Sequence, residues 1–239
     1  MNDGTTISIG RRERIRGSLE PLARLVGRTG LTPNALTLIG FAIAVVAAYL
    51  AATQAWLYAG VLVGFGALFD LLDGAVARAT RRASRLGAFL DSTMDRWGEA
   101  VVYIGLIYGL LSHPDVHSGR AWGPLLAGAA MASAFMVSYT RAKSESLGFT
   151  PGRGMAKVGL APREVRVVIL TVGLVVAGIL SSSAASYPAG LVPAQPLWWL
   201  VLVGSLGLIA ILATITTVQR IVHVYREANE EETNKSDGA

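Results

Sequence analysis

The chain has 239 residues, 52% hydrophobic and 15% charged, with a mean hydropathy of +0.49. Soluble domains carry about 25% charge, so this composition argues against a soluble globule and against a disordered chain. The absence of cysteine excludes disulfides, zinc–thiolate sites, iron–sulfur clusters and thiol nucleophiles, while the formal net charge of +5 fits either nucleic acid or an anionic surface until the charges are located.

The N-terminal segment, residues 1–34, is rich in arginine. Ile15, Leu19, Leu22, Ala23 and Val26 recur there at helical spacing. No apolar stretch follows directly and no cleavage site is visible, so the segment reads as an interfacial amphipathic helix rather than a signal peptide. A spanning helix needs about 20 mostly apolar residues. Six segments qualify: Ala35–Ala52, Trp56–Ala77, Ala88–Leu111, Trp122–Tyr139, Val165–Ser182 and Leu197–Val218. The expected fold is an all-α integral membrane protein with six transmembrane helices over residues 35–226. The ionic tail, residues 227–239, is expected to be disordered.

The basic residues are sided. Arg11, Arg12, Arg14, Arg16, Arg24 and Arg28 precede the first span. Arg78, Arg81, Arg82 and Arg85 lie between spans two and three, and Arg141, Lys143, Arg153, Lys157, Arg163 and Arg166 between spans four and five. Arg220, Arg226 and Lys235 follow the sixth, whereas the opposite loops hold only Arg120. The positive-inside rule then places both termini and the basic loops in the cytoplasm of a multi-pass cell-membrane protein. The charge is a membrane pattern, with no nucleic-acid-reading motif and no nucleic-acid partner expected.

Acidic residues number 16, yet four aspartates flank one cytoplasmic loop. Asp70 and Asp73 sit late in span two, in FDLLDGAVARA; Asp91 and Asp95 sit early in span three, in GAFLDSTMDR. Spacings of three and four put each pair on one helix face, and antiparallel neighbours joined by a short loop would let the two faces meet. An aspartate at a helix centre costs about 2.5–3.5 kcal/mol on the insertion scale, so four unpaired ones cost on the order of 10 kcal/mol. Arg78 and Arg96 can offset part of this as a structural ion-pair network. Four carboxylates also form an all-oxygen site suited to Mg²⁺ or Mn²⁺, and two such ions can clamp both oxygens of a phosphoryl displacement.

The run Asp70-x-x-Asp73-Gly74-x-x-Ala77-Arg78, then eight residues, then Gly87-x-x-x-Asp91-x-x-x-Asp95 resembles the signature of the CDP-alcohol phosphotransferase (CDP-alcohol phosphatidyltransferase) family. The segments around Thr32–Ala35 and Ser138–Lys143 most resemble its bacterial phosphatidylinositol-phosphate synthases. The resemblance implies transfer from CDP-diacylglycerol to the hydroxyl of a phosphorylated polyol, with release of CMP. It implies two Mg²⁺ or Mn²⁺ ions held by Asp70, Asp73, Asp91 and Asp95, with Asp95 as the general base. CDP-lipid contacts fall on Thr32, Pro33, Asn34, Ala35, Gly74, Arg78 and Ser84. Thr32 and Pro33 equally suit a plain helix start. Relatives of this kind are homodimers.

Arginine forks suit phosphate. The resemblance points to Ser138, Arg141, Lys143, Arg163, Arg166 and Arg220 as the acceptor-phosphate site, with inositol 1-phosphate as acceptor; topology and anionic lipid explain many of these charges equally. Those relatives commonly read Glu-Arg-x-Glu-Arg before span five, whereas this chain has Pro162, Arg163, Glu164, Val165 and Arg166. Glycerol 3-phosphate is therefore an open alternative. A cation transporter is the alternative from another class, since intramembrane carboxylates mark ion paths, although the four aspartates gather on one side. His113 and His117 read as a solvated external loop.

Overall fold

The computed structural model of the chain describes residues 25, 31–79, 84–112, 121–149, 158–183 and 196–237. The expected interfacial helix, apart from Leu25 and residues 31–34, lies outside them, as do His113, His117, Arg153, Lys157 and the side chain of Asp73.

The fold is all-helical. Six helices occur among the described residues: α1 (Pro33–Ala52), α2 (Trp56–Ala79), α3 (Arg85–Leu111), α4 (Trp122–Ser146), α5 (Arg163–Ser183) and α6 (Leu197–Asp237). Each contains one of the expected apolar segments. Two of the starts have visible local causes. Thr32 caps α1, its hydroxyl accepting from the Ala35 amide at 3.2 Å with Pro33 at the first position, the residue types that helix starts favour. Ser84 caps α3 in the same way, accepting from the Gly87 amide at 3.0 Å.

Several helices outrun the apolar segments. α4 continues past Tyr139 to Ser146, with Arg141 and Glu145 paired at 2.9 Å across one turn. The tail expected to be disordered is instead helical over residues 227–237, as an extension of α6. Its glutamates and Lys235 favour helix, and His223 stands 3.8 Å from Glu227 one turn on.

The helices close into a ring that does not follow chain order. Around it run α1, α3, α4, α6, α5 and α2, and α2 packs back on α1. Close approaches fix the directions. Gly98, Gly105 and Gly109 of α3 meet Ala44, Ala48 and Ala51 of α1 in parallel, whereas Gly60 and Gly64 of α2 meet Leu174 and Thr171 of α5 antiparallel. The ends of α2 and α4 therefore share one end of the bundle with the starts of α1, α3 and α5.

The expectation that α2 and α3 pack as direct neighbours is corrected. α1 packs against both and separates them in the ring. The cause is the glycine stripe of α3, whose backbone at Gly105 and Gly109 lies against the carbonyls of Ala48 and Ala51. Small residues that let backbones approach are what holds helices together where lipid competes for apolar contact.

The interior holds Ala47, Ala51, Tyr103, Leu106, Leu110, Leu174, Leu202 and Leu206, with Trp56 stacked on Trp198 at 6.2 Å between ring centroids. The outside is also apolar. Leu38, Val45 and Val46 on α1, Phe65 and Leu68 on α2, Ile104 on α3, Val168 and Val172 on α5, and Leu208 and Ile211 on α6 are all exposed. Helices that are apolar all round belong in a membrane. Four of the six are long and apolar enough to cross one: Pro33–Ala52, Trp56–Arg78, Arg163–Ser182 and Leu197–Glu230.

Candidate active site

The end of the bundle that collects the starts of α1, α3 and α5 holds an open cavity of about 850 Å³. Asp70 from α2 and Asp91 and Asp95 from α3 line one side. Ser138 and Arg141 from α4, Arg163 and Arg166 from α5, and Arg220 from α6 line the other. Residues far apart in sequence therefore face one another across a single space.

Arg163 joins the two sides. Its guanidinium donates to Asp70 Oδ2 at 2.6 Å and lies 2.9 Å from Asp95 Oδ2. One positive group thus reaches carboxylates from two helices that are not adjacent in the ring. Gly40 of α1 leaves room for this, since a side chain there would come within 3.3 Å of Asp70 Oδ1. The Nε of Arg163 is buried without a hydrogen-bond partner.

Carboxylate oxygens are the donor type that a hard divalent cation takes. Asp70, Asp91 and Asp95 share the cavity wall, and the Arg163 fork places positive charge between two of them. Among the described residues no three acidic or imidazole groups close around one point, and Asp73 contributes only its place one turn beyond Asp70 on α2. An oxygen-only site for Mg²⁺ or Mn²⁺ would draw on all four.

The arginines expected to bind the acceptor differ in what they are free to do. Arg166 is buried, its side chain 1% exposed. It donates through Nε and Nη2 to Glu99 at 3.0–3.1 Å and through Nη1 to the Ala161 carbonyl at 3.1 Å. Arg220 donates to the carbonyls of Val158 and Val137. Both line the cavity while tying α5, α6, α4 and the segment before α5 together. Arg141 pairs with the exposed Glu145 on its own helix. Lys143 is exposed in the last turn of α4 and does not line the cavity.

The segment before α5 is docked onto α6. The hydroxyl of Thr216 accepts from the amides of Leu160 and Ala161 at 3.1 and 2.9 Å. Gly159 makes this possible, because its φ is +118° and a Cβ there would collide with the Thr216 methyl. Only glycine accepts both demands without strain. The start of α5, and with it Arg163, is set by this contact.

The residues assigned to the CDP-lipid gather at the same end but outside this cavity. Asn34 Oδ1 and Ser84 Oγ both lie against Gly87, within 3.1 Å of where its Cβ would be. Gly74 lies beneath the guanidinium of Arg78 on the next turn. Thr32, Pro33 and Ala35 form the first turn of α1 beside them.

Sequence reasoning passed over Glu99. It stands one turn beyond Asp95 on α3 and accepts from Arg166 and, at 2.9 Å, from Arg96. The i, i+4 series Asp91, Asp95, Glu99 was the available signal: a further acid in phase with the motif and deeper in the span. Removing one partner of such a buried pair costs about 3–5 kcal/mol.

A helical bundle of apolar exterior with carboxylates and arginines gathered in a cavity at one end is the build of an integral membrane protein with a charged site. Residues 30–184 match the family model described as CDP-alcohol phosphatidyltransferase, and the chain belongs to that family. It is 36% identical to the archaetidylinositol phosphate synthase of Pyrococcus horikoshii, over 66% of this chain and 77% of that protein. It is 34% identical to the phosphatidylinositol phosphate synthase of Cutibacterium acnes, over 87% of this chain and 92% of that one. Crystal structures of the Mycobacterium tuberculosis phosphatidylinositol phosphate synthase superpose on it at 29% sequence identity. The manganese and citrate complex gives a TM-score of 0.70 over 87% of this chain and 88% of that one, and the CDP-DAG complex gives 0.69 over 87% and 93%. The chain is thus a phospholipid-synthesising transferase that releases CMP, and the transporter alternative falls.

Proposed function

We propose that the chain transfers the phosphatidyl group of CDP-diacylglycerol to the hydroxyl of inositol 1-phosphate, giving phosphatidylinositol phosphate and CMP. The observation that carries this is the single cavity in which Asp70, Asp91 and Asp95 face Arg141, Arg163, Arg166 and Arg220. The names of the relatives support the acceptor. The CDP-DAG complex of a relative supports the lipid donor, and the manganese complex supports a metal site.

The chemistry follows from the residues. The acceptor hydroxyl oxygen attacks the lipid-side phosphorus, the bond from that phosphorus to the oxygen of CMP breaks, and CMP leaves with the electron pair. Asp95 takes the hydroxyl proton. Arg163 and Arg141 hold the acceptor phosphate by charge-assisted hydrogen bonds. Thr32, Pro33, Asn34, Ala35, Gly74, Arg78 and Ser84 hold the nucleotide. Two divalent ions on Asp70, Asp73, Asp91 and Asp95 would supply neutralisation of the diphosphate charge.

The reading includes six spans. α3 runs parallel to α1, and α4 parallel to α6, in direct contact; α1 and α6 are apolar enough to cross the membrane, so their partners lie at the same depth. The sided basic residues favour a site facing the cytoplasm of the cell membrane, and the family resemblance supports a homodimer.

The test is CMP release by the purified chain with CDP-diacylglycerol and, in turn, inositol phosphate, glycerol phosphate, inositol and serine. Consumption of inositol phosphate is the expected result. Preference for glycerol phosphate would reassign the acceptor and keep the chemistry, in line with Pro162 standing where relatives carry glutamate. Excess chelator is expected to stop turnover and added Mg²⁺ or Mn²⁺ to restore it; undiminished turnover in chelator would remove the metal site.

A further inference from the structure

Glu99 does not line the large cavity. It lines a smaller cavity of about 70 Å³ that shares Asp70, Asp95, Arg163 and Arg166 with the large one and is also lined by Tyr103. Its carboxylate is 8% exposed and fixes two guanidiniums at once. Arg166 approaches it as a fork, with Nε and Nη2 both donating, and Arg96 donates from the other side at 2.9 Å. Arg96 and Arg166 are themselves in the wall of the large cavity.

Charge neutralisation alone does not account for this arrangement. One carboxylate here receives two arginines, with Asp95 and Arg163 beside it in the same cavity. What Glu99 supplies beyond charge is direction. A bidentate carboxylate holds the planar guanidinium in one orientation, and the Ala161 carbonyl completes that hold on Arg166.

We propose that Glu99 is a positioning residue: by holding Arg96 and Arg166 it fixes the wall of the cavity in which Arg163 and Arg141 receive the acceptor's phosphate, and so governs acceptor affinity without touching the acceptor. This rests on the transferase reading of the cavity. Glu99 acts from one turn below Asp95, so acceptor and proton-taking carboxylate are aligned by the same face of α3.

The two roles predict opposite signs. If Glu99 only offsets charge, Glu99→Gln leaves the wall more positive, so KM for the phosphorylated acceptor falls or stays. If it positions, Glu99→Gln keeps one accepting oxygen but loses the charge and the two-oxygen hold that fix Arg96 and Arg166 together. KM for the acceptor then rises about 10- to 100-fold, the factor for losing a charge-assisted hydrogen bond, while KM for CDP-diacylglycerol holds. Glu99→Asp keeps the charge and withdraws the carboxylate by one methylene. Positioning predicts a smaller rise in acceptor KM, and neutralisation predicts wild-type behaviour.

CMP release by the full-length purified protein is measured against each substrate in turn, with whichever phosphorylated acceptor the wild type consumes. Unchanged acceptor KM in both variants overturns the proposal, as does equal loss for both substrates. Failure of both variants to fold assigns Glu99 to bundle stability and also overturns it. A wild type that releases no CMP with any acceptor instead sinks the transferase reading.

Discussion

Asp95→Asn is expected to lower the rate of CMP release by about 10²- to 10⁴-fold, the range for removing a general base, in a protein that still inserts and purifies as the wild type does. The substitution keeps the shape of the side chain and removes its capacity to take a proton. The amide oxygen of the new asparagine would still accept a hydrogen bond from Arg163, which lies 2.9 Å from Asp95 Oδ2, so the local packing has no reason to collapse. The measurement is turnover at saturating CDP-diacylglycerol and acceptor, beside a thermal-stability scan in detergent. Turnover within a few-fold of wild type, with the fold intact, would take the base role away from Asp95 and leave it as an anchor for Arg163.

Gly105→Val carries the largest expected effect on the fold. A Cβ at Gly105 would sit on the backbone carbonyl of Ala48, and nothing at that point is the end of a flexible chain. α1 and α3 would have to part along their parallel contact. Overpacking of a tight interior costs about 1–3 kcal/mol and more where backbone must move; the backbone obstruction puts this position at the upper end. The variant is expected to melt well below wild type or to fail to elute as a folded species. Gly128, where a Cβ would meet no atom within 4 Å, is the control: Gly128→Ala should purify and melt as wild type. Equal stability of Gly105→Val and wild type would show that the two helices are not locked at this contact.

Much of this architecture was legible in the sequence. The apolar runs gave all six helices because length and composition are enough to mark a long apolar helix, and four of the six are long and apolar enough to cross a membrane. The aspartates were legible because intervals of three and four residues place acids on one helix face. The ends of α4 and α6 were not, because beyond the apolar zone the chain stays helical through charged residues such as Arg141 and Glu145 that hydropathy ignores. The ring order was invisible for a different reason. Which helix comes between α2 and α3 depends on glycine contacts such as Gly105 on Ala48, and those exist only once two helices have met. Arg166 and Arg220 illustrate the same limit: a sequence gives a charge, but only coordinates show that its N–H groups are committed to Glu99 and to backbone carbonyls. Gly159 gave no signal either, since its positive φ has meaning only against Thr216.

The order of the ring has a consequence for biogenesis. Arg163 follows Asp70 by 93 residues in the chain, and it arrives on α5, which must slot between α2 and α6. While the protein is being made, the first four helices leave the ribosome before the guanidinium that joins Asp70 to Asp95. Until α5 emerges from the ribosome, Asp70 and Asp95 lack the group that bonds both. A nascent chain arrested after α4 should therefore be a substrate for membrane quality control, and release of α5 and α6 is the event that seals the bundle.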